Sequence, residues 1–501
     1  MPNLQGIIKS IRDIMWQDTG LNGDAQRVEQ LGWMLFFKIF SDKDQELELL
    51  DDNYRSPIPD GLHWEQWAAD AEGITGDDLL RFVDGTLFPA LRNLDVQNNQ
   101  RALLVREVFA GNNNYMKSGT NIRKVLNKLN EIDFNVSTDR HLFGDLYEGI
   151  LKELQSAGKS GEFYTPRAIT QFITDMVNPR LGERVLDPAC GTGGYLSCAI
   201  EHLKTQANNV GERRRLQDDV MGWEYKPLPF LLATTNLILH DIEVPNIRYA
   251  DTLSREYTSY READRVNVIL ANPPFGGIVS NGYEGNFPAQ FRTRESADLF
   301  LILIIHLLKQ NGRAGLVLPD GSLTGEGVKQ RVRQKLLEEC NLHTIVRLPN
   351  SVFQPYATVA TNLLFFEKKK ATTPPKPGSD LPLFAEAEST TDRLDRYATR
   401  EIWYYEHRLP EGQKSYSKTK TIQRREFDPI AAWWSNRQES DVAWRVPIET
   451  IVARGFDLDI KNPNRREETS EYTSAELLAQ LAGSFGKSNE LLRVIQAELE
   501  A

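Results

Sequence analysis

The sequence predicts an α/β fold built on a doubly wound, mostly parallel sheet, with an α-helical N-terminal domain and a helical C-terminal tail. Short runs rich in Val, Ile and Leu alternate with amphipathic segments through the middle of the chain. This alternation is typical of parallel strands that are joined by helices. The residues before and after this middle part carry apolar side chains at helical spacing instead. A chain of 501 residues has room for two or three domains.

The predicted organisation has five parts. They are a helical N-terminal domain at 1–135, a strand–helix core at 136–370, a flexible loop or linker at 371–395, the remainder of the core with a basic surface at 396–465, and the helical tail at 466–501. The linker is assigned because it is rich in Pro, Thr, Ser and charged residues. The apolar period of the tail fits packing on the chain's own core and docking on a partner equally well.

Eight strands are predicted in the core and after the linker. They are 184–187, 220–224, 247–251, 266–271, 314–319, 344–349, 361–367 and the segment REIWYYEHR at 400–408. The apolar run LFLILIIHLL at 299–308 is far too short to span a bilayer and predicts a buried core helix. In a doubly wound sheet, ligands bind at the carboxyl ends of the strands. The candidate functional residues are therefore sought there.

Charge and cysteine content narrow the class of protein. The net charge of −11 argues against a free-standing protein with a large cationic surface for nucleic acid. It still allows a nucleic-acid enzyme whose partner supplies the affinity. The three cysteines form no C-x-x-C pair, which favours a reducing cytoplasm. No membrane association is predicted, and the N-terminus lacks the apolar stretch of a signal peptide.

The first predicted strand ends at Asp187 and runs into a glycine-rich turn, with glycines at 191, 193 and 194. Glycine lets the backbone approach a ligand closely, and the N-terminus of the next helix faces that ligand. The turn lacks the Gly-Lys-Ser/Thr of a Walker loop and departs from G-x-G-x-x-G. Taken alone, it fits a structural tight turn and a cofactor loop equally well.

Acidic residues end the next two predicted strands. Glu224 suits a ribose diol, because a carboxylate can accept hydrogen bonds from both hydroxyls. Asp251 is a second acceptor, suited to an adenine amino group. Taken alone, Glu224 fits a solvated surface position better. Four successive strands that end in Asp, Glu, Asp and Asn predict a nucleoside-bearing ligand with a reactive site beside it.

The fourth predicted strand ends in the corner Asn272-Pro273-Pro274-Phe275. Residues before proline are held in extended geometry, which fixes the Asn272 side-chain oxygen and the Pro273 carbonyl as two acceptors. Two fixed acceptors suit an exocyclic amine, because holding both hydrogens draws the nitrogen toward a tetrahedral form. The ring of Phe275 suits stacking on the ring that carries the amine. A strand-terminating turn explains the prolines but not the Asn and Phe beside them.

The motifs GEFYTPR (161–167), DPACGTGGY and NPPF, in this order, resemble those of S-adenosylmethionine-dependent DNA methyltransferases that act on adenine N6. The order is that of the gamma arrangement. The helical N-terminus, the GEFYTPR motif and the helical tail resemble, more narrowly, the modification subunit of type I restriction–modification systems. The resemblance covers nearly the whole chain and implies a Rossmann-like methyltransferase sheet.

The resemblance also implies roles for the matching positions. The implied cofactor residues are Glu162, Phe163, Tyr164, Thr165, Asp187, Gly191, Thr192, Gly193 and Gly194 for the methionine end, Glu224 for the ribose and Asp251 for the adenine. The implied catalytic residues are Asn272 and Pro273, which would bind the target N6, with Pro274 and Phe275, the latter against the flipped base. The reaction is then an in-line displacement at the sulfonium methyl, for which no metal is needed.

The implied partners are double-stranded DNA and a separate specificity subunit, joined by two modification subunits, with a restriction nuclease subunit as a further partner. Three alternatives stay open on the sequence alone. The first is a self-sufficient adenine methyltransferase with its own recognition region after residue 370. The second is a methyltransferase that acts on protein glutamine, because N-P-P-aromatic motifs also occur there. The third is a non-catalytic assembly subunit.

Overall fold

The computed structural model describes residues 4–134, 165–353, 359–369, 394–417, 420–464 and 474–500. Residues 371–393 of the expected linker lie outside the described residues, as do Glu162, Phe163 and Tyr164. Within the described ranges the molecule is an α/β structure with helical ends, which confirms the predicted fold class.

Helices form the N-terminal part. They are α1 (Leu4–Trp16), α2 (Asp24–Leu50), α3 (Trp64–Trp67), α4 (Gly76–Phe82), α5 (Phe88–Arg92), α6 (Gln100–Gly111) and α7 (Gly119–Leu129), with a π-helical turn at Val83–Leu87. Buried aromatic side chains hold them together. The ring centroids of Trp33 and Phe88 are 5.0 Å apart, and those of Phe37 and Phe109 are 5.7 Å apart, both edge to face. Such pairs add to the free energy of apolar burial.

Nine described strands form one sheet. They are β1 (Val185–Asp187), β2 (Val220–Glu224), β3 (Asn246–Tyr249), β4 (Val266–Ala271), β5 (Leu308–Pro319), β6 (Cys340–Arg347), β7 (Thr361–Lys368), β8 (Glu401–Glu406) and β9 (Ala443–Pro447). Their order across the sheet is β3-β2-β1-β4-β5-β7-β6-β8-β9. β7 is antiparallel to β5 and β6, and β9 is antiparallel to β8, while the other neighbours are parallel. The edge strand β9 is not among the predicted strands.

The remaining helices connect and cover the sheet. They are α8 (Arg167–Val177), α9 (Gly194–Lys204), α10 (Val210–Asp219), α11 (Pro227–Leu239), α12 (Ser296–Leu307), α13 (Asp320–Leu323), α14 (Val328–Glu339), α15 (Asp428–Trp434), α16 (Ile448–Ala453) and the C-terminal α17 (Ser474–Glu500). α12 contains the apolar run predicted as a core helix except its last residue, Leu308, which begins β5, and the helix is almost entirely buried. In the described part of the chain, no helix has both the length and the apolar character to cross a membrane.

Both faces of the central strands are buried. Val185 and Val268 belong to one apolar cluster, whereas their neighbours Leu186 and Ile269 belong to a second cluster on the opposite face. Side chains alternate between faces along a strand, so these strands are sandwiched between two layers of helices. This double burial explains why their sequences are continuously apolar.

The N-terminal helices pack directly on the sheet domain. Gly32 of α2 lies against α11, where an added Cβ would be 3.0 Å from Leu231 Cδ2. Arg101 of α6 donates to the carbonyl of Glu243 at 2.6 Å and is paired with the buried Asp44. The helical part therefore supports the segment between β2 and β3.

The chain changes direction across the sheet at β1. β2 and β3 lie on one side of β1, and β4 lies on the other. In open α/β sheets this switch point leaves a crevice at the carboxyl ends of the strands, where ligands bind. The ends of β1, β2, β3 and β4 all face this crevice.

Candidate active site

The strand ends meet at one cavity of about 500 Å³. Asp187 from β1, Glu224 from β2, Asp251 after β3 and Asn272 after β4 all line it. Its lining also includes Thr165, Gly191, Thr192, Gly194, Pro274 and Phe275. Of the other predicted residues that the structure describes, Gly193 and Pro273 are not among the lining residues, and Pro273 is buried. The structure thus brings together most of the positions chosen from the sequence.

The glycine-rich turn has the backbone geometry that glycine permits. Gly191 and Gly193 have φ angles of 54° and 79°, in the left-handed region that other residues rarely adopt. Gly193 precedes α9 and also lies against α11, where an added Cβ would be 3.3 Å from that of Ala233. The backbone N–H of Gly191 donates to Glu224 Oε2 at 3.0 Å. This hydrogen bond ties the turn after β1 to the acid at the end of β2.

Glu224 is a buried, oriented carboxylate. It is 8% exposed, and its Oε1 accepts from the backbone N–H groups of Tyr225 and Lys226 at 2.9 and 2.8 Å. Together with the bond from Gly191, these contacts fix its direction at the cavity wall. A surface glutamate would be mobile and solvated, so the burial favours a ligand-binding role.

Asp187 is the most deeply buried acid of the site. It is 1% exposed, and its Oδ1 accepts from the Ala189 N–H at 3.0 Å. Burial raises the pKa of the Asp187 carboxyl to about 8; the Ala189 hydrogen bond opposes this shift, and the negative charge of Glu224 adds to it. Two acids so close together favour a ligand that brings positive charge.

Asp251 bounds the cavity beyond β3. Its Oδ1 accepts from the Leu253 N–H at 3.0 Å and caps the short helical turn Thr252–Ser254. The negative charge of Asp251 and a hydrogen bond to its carboxylate raise the pKa of Tyr283. Asp251 and Tyr283 therefore present an acceptor and a hydroxyl at the same wall.

The Asn-Pro-Pro-Phe corner lies beside these acids. Asn272 Nδ2 donates to Thr165 Oγ1 at 2.8 Å, while Asn272 Oδ1 is buried and accepts no hydrogen bond from the described residues. The carbonyl of Pro274 accepts from Ser296 Oγ at 3.0 Å. Phe275 is 7% exposed and meets Phe353 edge to face, with ring centroids 6.0 Å apart. The corner is therefore held by side chains from three other segments.

Several lining residues were not predicted from the sequence. Tyr225, Tyr283 and Ser296 line the cavity beside the predicted positions. Tyr225 directly follows Glu224, so its place at a strand end could have revealed it. Tyr283 lies in the segment between β4 and α12, and Ser296 is the first residue of α12; only the fold brings them to the cavity. Among the described residues, no cluster of His, Cys, Asp and Glu is arranged to hold a metal ion.

Comparison with known proteins gives matches along nearly the whole chain. Residues 138–472 match the family model of N-6 DNA methylases, and residues 4–129 match that of the HsdM N-terminal domain. The EcoEI type I restriction enzyme methylase subunit of Escherichia coli is 49% identical over 98% of this chain and 96% of its own. A solved structure from Vibrio vulnificus YJ016, assigned as a modification subunit of a type I restriction enzyme, has 40% identity and a TM-score of 0.79. It covers 94% of this chain and 98% of its own.

The fold alone is shared more widely. The structure of a type I methyltransferase subunit from Streptococcus thermophilus is only 21% identical, yet it covers 92% of this chain with a TM-score of 0.63. The chain is an S-adenosylmethionine-dependent DNA methyltransferase of the N6-adenine class. Within that class it belongs to the methylase subunits of type I restriction enzymes, as the sequence motifs predict.

Proposed function

We propose that this chain, at the cavity described above, methylates N6 of an adenine that has been flipped out of double-stranded DNA. The observation that carries the proposal is the convergence of Asp187, Glu224, Asp251 and Asn272 on one cavity. The three carboxylates suit a cationic nucleoside cofactor, and the amide of Asn272 suits an amine. A cavity of about 500 Å³ is of the size that small-molecule ligands occupy.

The donor set of the cavity fits S-adenosylmethionine. When bound, this cofactor would supply a sulfonium methyl group that a nucleophilic nitrogen can attack, with the neutral thioether as the leaving group. Asp187 and the turn at Gly191, Thr192, Gly193 and Gly194 would hold its methionine end, with Glu224 on the ribose and Asp251 on the adenine. Thr165 lines the same cavity. Glu162, Phe163 and Tyr164 stay predictions for the cofactor site, because they lie outside the described residues.

The target base would be held by the corner. Asn272 Oδ1 and the Pro273 carbonyl would accept from the two N6 hydrogens, which makes the nitrogen lone pair available. Pro274 shapes the turn, and Phe275 would stack on the base. Stacking on an aromatic side chain contributes about 1–3 kcal/mol per base, which offsets much of the few kcal/mol that unstacking costs. Holding both reactants in line lowers the barrier through proximity and orientation.

The mouth of the cavity suits DNA. Ile278 lines the cavity and is 72% exposed, and its neighbour Val279 is hydrogen-bonded at 2.9 Å to the carbonyl of Arg294. Arg294 and Arg292 are exposed on the loop before α12. Arginine beside the pocket would contact phosphates. An apolar side chain there would contact exposed bases.

Two other basic segments of the chain, at 213–215 and 424–425, support DNA contact less well. Arg213, Arg214 and Arg215 lie on α10, directly before the start of β2 and thus toward the edge of the sheet away from the cavity. Arg424 is ion-paired with Asp175 at 2.6 Å. We therefore place the DNA of the proposed complex at the carboxyl edge of the sheet.

The chain would act within a complex. A net charge of −11 fits a catalytic subunit whose DNA affinity comes from a specificity subunit. We propose two modification subunits per specificity subunit, with the predicted tail at 466–501, which contains α17, as a docking segment and a restriction nuclease as a further partner. We also propose that the rest of the chain divides into the predicted domains, which are 1–135, 136–370, 371–395 and 396–465.

The test is methyl transfer by the complex as purified from its host. The complex is incubated with methyl-labelled cofactor and with DNA or protein acceptors, and the labelled product is identified after digestion. The expected product is N6-methyladenine in DNA. Label in protein glutamine would overturn the proposal. Specific methylation by this chain without any specificity subunit would support the self-sufficient alternative instead.

A further inference from the structure

The two ends of the Asn272 amide have different environments. The Nδ2 group donates to the Thr165 hydroxyl at 2.8 Å, whereas Oδ1 is buried without a partner among the described residues. A buried acceptor that lacks a donor is costly, and the cost is recovered when a donor arrives. The amide is therefore anchored on one side and ready for a ligand on the other.

Thr165 reaches Asn272 from 107 residues earlier in the chain. It precedes Pro166, which restricts it to extended geometry, and α8 begins at Arg167. Arg167 donates to Ser197 Oγ at 2.5 Å and to the Gly194 carbonyl at 3.3 Å. Because these contacts join the start of α8 to α9, the Thr165 hydroxyl has a fixed position beside the corner.

The hydrogen bond to Thr165 matters because the side-chain amide of Asn272 rotates readily about χ2. The preferred values of this torsion are broadly distributed and roughly two-fold. A half-turn would point the NH₂ group of Asn272 at the target amine, so that two donors would face each other. In the observed rotamer Nδ2 donates to the Thr165 hydroxyl oxygen, and Oδ1 is left for the amine. The proline after Asn272 restricts its backbone but cannot fix this side-chain torsion.

We propose that Thr165 is a positioning residue for the methyl-transfer step, and that its hydroxyl orients the Asn272 amide toward the target N6. The inference rests on the proposed function and adds to it. It differs from the cofactor role that the sequence resemblance implies for this position. If Thr165 contacts the cofactor, its loss would weaken cofactor binding. If it holds the Asn272 amide, its loss would slow methyl transfer in the complex that already has cofactor bound.

The test uses the complete complex with its specificity subunit and its DNA target. Single-turnover methylation is measured at saturating cofactor, and cofactor affinity is measured separately, for Thr165→Val, Thr165→Ala and Thr165→Ser. Loss of one neutral hydrogen bond predicts that Val and Ala slow the reaction by about tenfold. Cofactor affinity should stay within about twofold of wild type, which also shows that the variants fold. Thr165→Ser keeps the hydroxyl and should restore most of the rate.

Other outcomes would overturn the inference. If Val and Ala weaken cofactor binding but reach the wild-type rate at saturation, Thr165 serves the cofactor alone. If Thr165→Ser methylates DNA as slowly as Thr165→Val, the hydroxyl is not the group that orients the Asn272 amide. Failure of the proposed function itself would be distinct, because the wild-type complex would then methylate no adenine in DNA.

Discussion

At the scale of single residues, the acids of the site are held by backbone N–H groups. Glu224 accepts from Gly191, Tyr225 and Lys226, Asp187 accepts from Ala189, and Asp251 accepts from Leu253. Backbone donors orient a carboxylate without neutralising its charge. Such a wall is complementary to a cofactor that carries a sulfonium and an ammonium group.

We predict that cofactor binding releases a proton from Asp187. Its pKa is about 8 in the protein without cofactor, so it is largely protonated at pH 7. A positive charge nearby lowers the pKa of a carboxyl, so the bound state favours the ionised form. Affinity should therefore rise with pH, by up to about tenfold per unit, and level off above pH 8. Calorimetry from pH 6 to 9 in buffers of different ionisation enthalpy measures both effects.

The matched control is Asp187→Asn, which keeps the size of the side chain. It should bind the cofactor more weakly and lose the part of the proton release that belongs to this residue. Protons released by the cofactor's own amino group are common to both proteins. Equal proton release by the variant and the wild type would contradict the predicted role.

The sequence alone is enough to locate a site residue where its position depends only on the order of the strands. Asp187, Glu224 and Asp251 could be predicted because the carboxyl ends of parallel strands share one edge. The contact between Thr165 and Asn272 could not, because it depends on where the start of α8 packs. The place of Ser296 behind Pro274 likewise follows from the path of a long loop.

At the scale of elements, the glycine-rich turn depends on β2 beside it. An alanine Cβ at Gly222 would lie 2.7 Å from Leu196 Cδ1 on α9 and 2.9 Å from Cys190 Sγ in the turn. Gly222→Ala must therefore displace the side chains of Leu196 and Cys190, both of which are buried. We expect a loss of about 1–3 kcal/mol in the free energy of unfolding, together with weaker cofactor binding. Denaturant unfolding and cofactor titration measure the two effects.

A suitable control is Gly85→Ala, because an added Cβ there has no described atom within 4 Å. That variant should change stability by no more than about 0.5 kcal/mol and leave cofactor binding unchanged. Wild-type cofactor affinity in Gly222→Ala would show that the glycine-rich turn does not depend on close packing against β2.

Strand composition explains which elements could be predicted. β4 and β7 are runs of apolar residues buried between helices, so their sequences mark them clearly. β9 has the sequence AWRVP, with two exposed residues in five positions, and pairs only at the edge with β8. Its short mixed sequence resembles a loop. The antiparallel direction of β7 also depends on the long connections around it, which carry no simple sequence signal.

At the scale of the whole molecule, α17 exposes a stripe of apolar residues. Leu478, Leu481, Phe485 and Leu492 follow heptad spacing and are 54–68% exposed. Heptad stripes are typical of helices that pair with other helices. Exposure of several large apolar side chains on one face favours docking on a partner over packing on the chain's own core.

We predict that Leu481→Asp combined with Phe485→Asp greatly reduces co-purification with the specificity subunit. Two charges on the stripe would have to be buried in the interface, which is unfavourable. Ala479 is exposed on another face of α17, so Ala479→Asp should leave the complex intact. Cofactor affinity should be unchanged in both proteins. The docking proposal fails if the double variant assembles as well as the control.

The proposed function makes one prediction above all: adenine methylation by this complex depends on Asn272. It is tested most directly by sequencing N6-methyladenine in host strains that carry the wild-type gene, a deletion, or Asn272→Ala. The variant should lower methylation at the complex's target sequence to the level of the deletion, while it still binds the cofactor and its partner. Methylation at the wild-type level in the Asn272→Ala strain would show that Asn272 does not bind the target amine.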